Sequence, residues 1–220
     1  MSDSTPASSR VKVKRHAERG HYDRAAIDAI LDEGLVAHVG FVVDGQPFVI
    51  PTLHARSGDT LYFHGAAANR MLDTIAGEPV CVTVTLLDGL VLARSHYNHS
   101  ANYRSVVVLG RPREVTDREE KLRSFQVLVD HVARGRWNDA RQPSETEIKV
   151  TRVLALPLDE ASAKIRSGPP KDDAEDLGLP IWAGVIPLRQ VADPPIPAPD
   201  LSAGIPTPGY ASGYQREAGA

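Results

Sequence analysis

A run that turns from strand to helix, Phe63-His-Gly-Ala-Ala-Ala-Asn-Arg-Met71, holds the residue types best suited to gripping an anion. Free backbone N–H groups at the start of a helix favour negative charge, and Asn69 and Arg70 would add directed donors. Arg70 brings a planar fork that matches phosphate oxygens. The run lacks a Gly-Lys-Ser/Thr ending and so is no Walker loop. His64, beside it, either donates from its ring to a cofactor or substrate or is satisfied by backbone at a barrel rim.

Other candidate chemistry is thinner. Among the eight histidines, His96 and His99 lie three apart and His54 and His64 fall on neighbouring strands, yet no Cys pair, His-Glu-x-x-His or His-x-His cluster completes a ligand set, so no metal is expected. Tyr103, Arg104 and Ser105 open a buried strand, Ser105-Val-Val-Val-Leu-Gly110. Either they reach a pocket or they are polar because the strand is leaving the core. No Gly-x-Ser-x-Gly elbow supports a nucleophilic serine. Cys81 is the single cysteine, set in an alternating strand, and reads as a packing residue.

The elements that must position these groups are mostly strands. Asp23 and Gly34 bracket a helix whose apolar face is Ile27, Ile30 and Leu31. Val36 to Val43, an Asp44-Gly45 turn and Gln46 to Ala55 make a hairpin, and Ser57-Gly-Asp59 returns the chain as Thr60 to His64. Pro51 interrupts the second strand; lacking an N–H, it belongs at an edge, a bulge or a place where a ligand meets the backbone. Ala66 to Ala76 predicts a short helix. Val80 to Leu87, Leu90 to Ser95 and Ser105 to Glu114 predict strands. Asp117 caps a helix to Val132, with Leu122, Phe125, Leu128, Val129 and Val132 on one face. Lys149 to Pro157 predicts a last strand. The fold class is mainly β (α+β), an antiparallel barrel with peripheral helices.

The whole chain sets limits. At 220 residues, 42% apolar, with a formal charge of −3, it reads as one globular domain with no general attraction for nucleic acid or anionic membrane. No run approaches the roughly 18 apolar residues of a span and the first residues lack a secretion core, so the expectation is a cytoplasmic location and no membrane partner. The organisation predicted is a flexible N-terminal arm over 1–15, the barrel over 16–160, a C-terminal extension over 161–191 and a disordered Pro/Gly-rich tail over 192–220. Trp182, in an apolar island of that extension, is expected to dock on the body.

Gln46-Pro-Phe-Val-Ile-Pro-Thr52, Leu61-Tyr-Phe-His-Gly65 with Asn69-Arg70, and Tyr103-Arg-Ser-Val-Val-Val-Leu-Gly110 together resemble the pyridoxamine 5'-phosphate oxidase-like split-barrel flavoproteins, most of all their nitroimidazole-resistance branch. The resemblance covers about residues 15 to 157. It implies a split barrel and a homodimer with two FMN sites in the interface. The strand Val49, Ile50, Pro51, Thr52, Leu53 would run along the isoalloxazine edge, while Phe63, His64, Asn69 and Arg70 would hold the ribityl phosphate. Tyr103, Arg104 and Ser105 would reach toward a flavin ring, and Trp182 and Arg189 would close over flavin or substrate.

There are departures. Phe48 and Leu53 stand where the oxidases carry Arg and Lys, and Ala68 and Asn69 where they carry a serine and a second basic residue. Fewer charges imply weaker FMN retention or a different ligand. The activity implied is FMN-dependent reduction of a small nitroaromatic or quinone-like substrate, with His64 as proton donor. The alternatives are a non-catalytic flavin or haem carrier or sensor, with His54, His64, His96 or His99 as axial ligand, and an F420-dependent reductase. Fold alone does not choose among them.

Overall fold

Hairpins dominate the architecture seen in a computed structural model, which describes residues 5–215; the parts of the expected arm and tail at 1–4 and 216–220 lie outside the described residues. The strands are β1 (Gly20–His21), β2 (Val36–Val43), β3 (Gln46–Ser57), β4 (Thr60–Ala66), β5 (Val80–Leu92), β6 (Ser100–Gly110), β7 (Arg113–Glu114), β8 (Thr151–Pro157), β9 (Glu160–Arg166) and β10 (Gly184–Pro187). The helices are α1 (Arg24–Glu33), α2 (Arg70–Ile75), α3 (Arg118–Val132), α4 (Arg136–Asp139), α5 (Glu145–Val150) and α6 (Gly209–Ser212). The strands form one antiparallel sheet in the order β1-β9-β6-β5-β2-β3-β4-β8-β7, with β10 added to β5. This is the expected mainly β fold with peripheral helices, and the sheet curls without closing on itself, β1 and β7 being its two ends.

The curl is driven by one core. Leu61, Phe63, Leu154 and Leu156 from one half of the sheet meet Val82, Val84, Val106 and Val108 from the other, and Ile27, Ile30 and Leu31 of α1 plug the space between. Burying each such side chain is worth about 1.5–3 kcal/mol, which outweighs the strain of bending the sheet. Local signals agree with this placement. The Asp23 carboxylate accepts from Ala26 N–H at 2.9 Å and caps α1. Asp44 and Gly45 have positive φ, 50° and 79°, as a two-residue hairpin turn requires. Gly34 ends α1 for another reason: a Cβ there would meet Val84 Cγ1 at 2.4 Å.

Several elements differ from the sequence reading. Residues Val80–Leu92 form a single strand, its two predicted halves joined through an irregularity between Leu87 and Gly89. Lys149 and Val150 are helical, because Ser144 and Glu147 make a reciprocal capping box that starts α5. Strand β9, beyond the barrel boundary expected near Glu160, pairs with β6 from Tyr103 to Leu109. Its Ala-Ser-Ala centre carries none of the β-branched residues that mark strands. At the N-terminus Val11 is buried and Val13 N–H donates to the Tyr22 hydroxyl at 2.9 Å, so this stretch lies against the body.

Arg104 has a structural post. Its guanidinium donates to both Asp88 carboxylate oxygens at 3.0 and 2.8 Å, and to Glu33 at 2.8 Å with a second, shorter bond beside it. The fork thereby ties α1 to the irregularity in β5, and the two carboxylates hold its pKa above the ordinary arginine value. Arg104→Ala leaves two half-buried carboxylates facing each other and is expected to cost about 2 kcal/mol, read as a lower urea midpoint; Lys, lacking the fork, should recover little. Unchanged stability with lost cofactor would return Arg104 to the flavin side.

Candidate functional site

Strand β3 is longer than its neighbour. Its register with β4 covers only His54 to Ser57, whereas Gln46 to Leu53 pair with β2 alone. Val49, Ile50, Pro51, Thr52 and Leu53 therefore sit on a free sheet edge, which is where a proline can be carried. Apolar side chains there lack cover: Val49 is 63% exposed, and Phe48, Ile50 and Leu53 are exposed too. Phe48 stacks on Phe41 with ring centroids 5.7 Å apart. The edge offers backbone N–H and C=O groups, with flat apolar surface on either side.

Next to that edge lies a cavity of about 520 Å³, walled by Leu53 of β3, His64 of β4, Phe125, Leu128, Val129 and Val132 of α3, and Trp137 of α4, with Arg136 and Arg141 among the lining residues. The apolar face of α3, predicted as a core stripe, does only part of that work. Leu128 is buried, while Val132 is 40% exposed along the cavity. His64 is the one histidine in the wall. His64 is itself solvent-exposed on the cavity side, yet desolvation by the surrounding groups lowers its imidazole pKa below the ordinary histidine value and favours the neutral ring.

The other histidines are placed elsewhere. His54 is buried, its Nε2 3.1 Å from the Leu31 carbonyl oxygen and its ring 5.4 Å from that of His131. His96 and His99 stack edge to face at 6.4 Å in the loop after β5, with His99 Nδ1 2.8 Å from Ser95 O. Among the described residues no group of three His, Cys, Asp or Glu side chains is arranged to hold a metal ion.

The expected phosphate corner is divided by the fold. Phe63 is fully buried in the core and offers only backbone, which pairs with β8. Asn69 caps α2, its Oδ1 accepting from Leu72 N–H at 3.3 Å. Gly65 makes room for it, since a Cβ there would meet Asn69 Nδ2 at 2.9 Å. Arg70 is exposed at the first position of α2 and makes no side-chain hydrogen bond or ion pair among the described residues. Of the expected corner, Arg70 is thus the cation left with donors to give.

The remaining candidates do not converge on one place. Arg104 is committed to Glu33 and Asp88, and Ser105 Oγ donates to Lys164 O at 3.3 Å. Tyr103 is half-buried opposite Leu87 and Arg166. Trp182 does not dock: it is 66% exposed, its ring resting against Gly184, and Arg189 is exposed beyond β10. The exposure has a local cause, because the island is held by the β10 ladder rather than by its aromatic ring.

The cavity itself escaped the sequence reading. Phe125, Val129, Val132 and Trp137 carry no motif, and the available signal was a wide apolar stripe followed closely by a tryptophan, which reads the same whether it faces a core or a ligand.

Comparison with known proteins bears on all of this. A sequence-family profile described as pyridoxamine 5'-phosphate oxidase matches residues 23–165. The flavocytochrome Anf3 from Azotobacter vinelandii is 42% identical, with a TM-score of 0.91 over 96% of this chain and 99% of that one. A FAD and heme binding protein from Mycobacterium smegmatis is 35% identical, with a TM-score of 0.85 over 89% and 96%. A 5-nitroimidazole antibiotic resistance protein from Bacteroides thetaiotaomicron is 25% identical, with a TM-score of 0.55 over 66% and 86%. A search of curated proteins gives no match. The profile covers the barrel, the 42% identity runs on over nearly the whole chain, and the chain belongs to the pyridoxamine 5'-phosphate oxidase family.

Proposed function

We propose that this chain is a two-cofactor redox protein, with a haem in the cavity beside His64 and a flavin along the free edge of β3. One observation carries the reading: a cavity of about 520 Å³ with apolar walls that presents a single imidazole, held neutral by desolvation. That volume falls within the range of small-molecule and cofactor sites. A neutral imidazole has a lone pair to give to a metal, and apolar walls suit a porphyrin face. Arg136 and Arg141 also line the cavity, where they pair with Asp139 and Glu147, and would exchange those carboxylates for a porphyrin's. The flavocytochrome and the FAD and heme binding protein, at 42% and 35% identity, support the pairing of cofactors.

The residues fit the flavin differently. Val49 to Leu53 provide backbone donors and acceptors for the ring edge, and the uncommitted Arg70 provides a cation for a phosphate. Scarcity of cations favours a ligand held largely by apolar surface, and FAD takes precedence over the FMN implied by the resemblance. A deazaflavin is a further outcome that mass identification of the released chromophore would reveal. The bound groups would supply one- and two-electron transfer; the chain's own residues would orient them. Leu53 belongs to both the free edge and the cavity wall, so the two cofactors would be neighbours. In a homodimer, also proposed, the second copy would cover the exposed face of β3.

This reading reassigns His64. An imidazole whose pKa is pushed down is a poor proton donor at neutral pH and a good ligand. The purified protein should show flavin and Soret absorption together, and His64→Ala should lose the Soret band while keeping the flavin. A Soret band that survives in His64→Ala removes the assignment. Arg70→Ala should weaken flavin retention at least tenfold on dialysis, with the Soret band intact.

The depressed pKa also sets a pH dependence for the cofactor-free protein. Above the unfolded value near 6.5 both states carry a neutral ring and the group contributes nothing. As pH falls below it the unfolded state binds the proton first, so stability declines down to the lower folded pKa and then levels. A ¹H NMR titration should place the His64 midpoint below 6.5, and His64→Gln should flatten that part of the stability curve; a midpoint at or above 6.5 contradicts the desolvation argument.

A further inference from the structure

The rim of the cavity meets the far end of the chain. Among the described residues the hydrogen bonds between α6 and α4 all run through Tyr210, whose hydroxyl accepts from Arg136 Nη1 at 2.8 Å and donates to the Asp139 carboxylate. Arg136 also reaches Asp139 directly at 3.4 Å, so cation, carboxylate and phenol close a triangle. Arg136 is one of the cavity-lining residues, and Gly135 before it turns the chain with a φ of 91°. The Tyr210 ring lies over that turn, its Cδ1 4.0 Å from where a Gly135 Cβ would stand. On the other side of the corner Asp130 Oδ1 accepts from Gly135 N–H at 3.1 Å and Trp137 N–H at 3.2 Å, which fixes the corner itself. The part able to move is α6.

The hold on α6 is weak. The Arg136 and Asp139 side chains are each about half exposed, and ion pairs in that setting contribute little because water screens them. The helix turns half-buried Tyr210, Ala211 and Tyr214 to the body, a small apolar surface. Against these contacts stands the entropy of closing the chain between β10 and α6. From Val191 to Pro208 the backbone hydrogen bonds among the described residues are local, Leu201 N–H to Ala198 O and Ile205 N–H to Ser202 O, and do nothing to hold that closure. A weak contact set against loop closure gives a segment that opens readily while the core stays folded.

We propose that α6 is an autoinhibitory strap that withholds Arg136 from the cavity until an anionic occupant claims it. With the strap in place, Tyr210 takes Arg136 Nη1 and Asp139 offsets its charge. A carboxylate arriving at the rim offers the same guanidinium a charged acceptor in place of a phenol, and hydrogen bonds to charged acceptors are the stronger ones. Arg136 then exchanges Tyr210 for the newcomer, and α6, left with its own local bonds, lifts away. No covalent bond changes. An uncharged molecule has no exchange to make, so the strap neither hinders nor yields to it. The device therefore tunes the cavity toward or away from anions according to whether Tyr210 is seated. The inference rests on the reading of the cavity as a site for a carboxylate-bearing group and adds the contact that such a group must break.

The test is a fluorescence titration of the full-length cofactor-free protein with metal-free protoporphyrin IX, a dicarboxylate, and in parallel with its uncharged dimethyl ester. Tyr210→Phe, which removes the hydroxyl and keeps the ring, should bind the dicarboxylate about fivefold more tightly than wild type, the worth of one hydrogen bond. Tyr210→Ala should do so at least as strongly. The ester should bind all three proteins alike, and Tyr214→Phe, on the same helix, should behave as wild type with both. Hydrogen exchange at residues 209–214 of the wild type should quicken when the dicarboxylate binds and stay unchanged with the ester. Unaltered dicarboxylate affinity in both Tyr210 variants, or an equal gain for the ester, overturns the inference and leaves the cavity reading standing. A wild type and variants that take up neither porphyrin overturn both.

Discussion

The strand β3 outruns its partner β4, and from this single mismatch the rest of the surface follows. Eight residues, from Gln46 to Leu53, are paired along one side only, so a row of backbone groups and the apolar side chains around them have no cover within the chain. An open strand edge of that kind is a liability that proteins blunt with charge or cover with another element. Here neither has happened. The edge carries Phe, Val, Ile and Leu, which calls for an occupant rather than for water.

Charge distribution reinforces that reading. Arg104, Arg56 and Arg152 are each engaged by two carboxylates, and these pairs tie helices and strand irregularities to the sheet. The cations are thereby withdrawn from the cofactor side, with Arg70 left out. Where Arg70 is, among the described residues, the cation of the expected corner that keeps its donors and apolar surface dominates, a ligand is held through surface contact and backbone hydrogen bonds more than through charge. The cavity under α3 presents one imidazole in a mostly apolar wall, its two arginines, Arg136 and Arg141, being paired with Asp139 and Glu147. Both sites meet at Leu53, so whatever occupies one is felt by the other through a single side chain.

Much of the fold was legible from residue order. Hairpin turns declare themselves by Asp-Gly, helix starts by Asp23 and Asp117, β5 by its alternation from Val80 and β6 by a continuous Val-Val-Val-Leu run; these are local preferences that the folded chain had no reason to override. Strand β9 was missed because Ala-Ser-Ala is chosen for close packing against β6, and small residues carry no propensity. Lys149 and Val150 read as strand because Val150, Val153 and Leu154 fit a half-buried ladder, whereas the capping box that makes them helical starts five residues earlier, at Ser144. The family resemblance was legible in three short stretches whose order and spacing survive.

Residue types and spacing determined the fold class, the caps, the free-edge proline and the family, because each is decided by neighbours close along the chain. The tertiary structure alone decided which cation stayed free, which histidine faced a cavity and which helix face remained uncovered. Those outcomes depend on partners far apart in sequence, Glu33 with Arg104, Leu53 with Trp137, Tyr210 with Arg136, brought together only by the curl of the sheet.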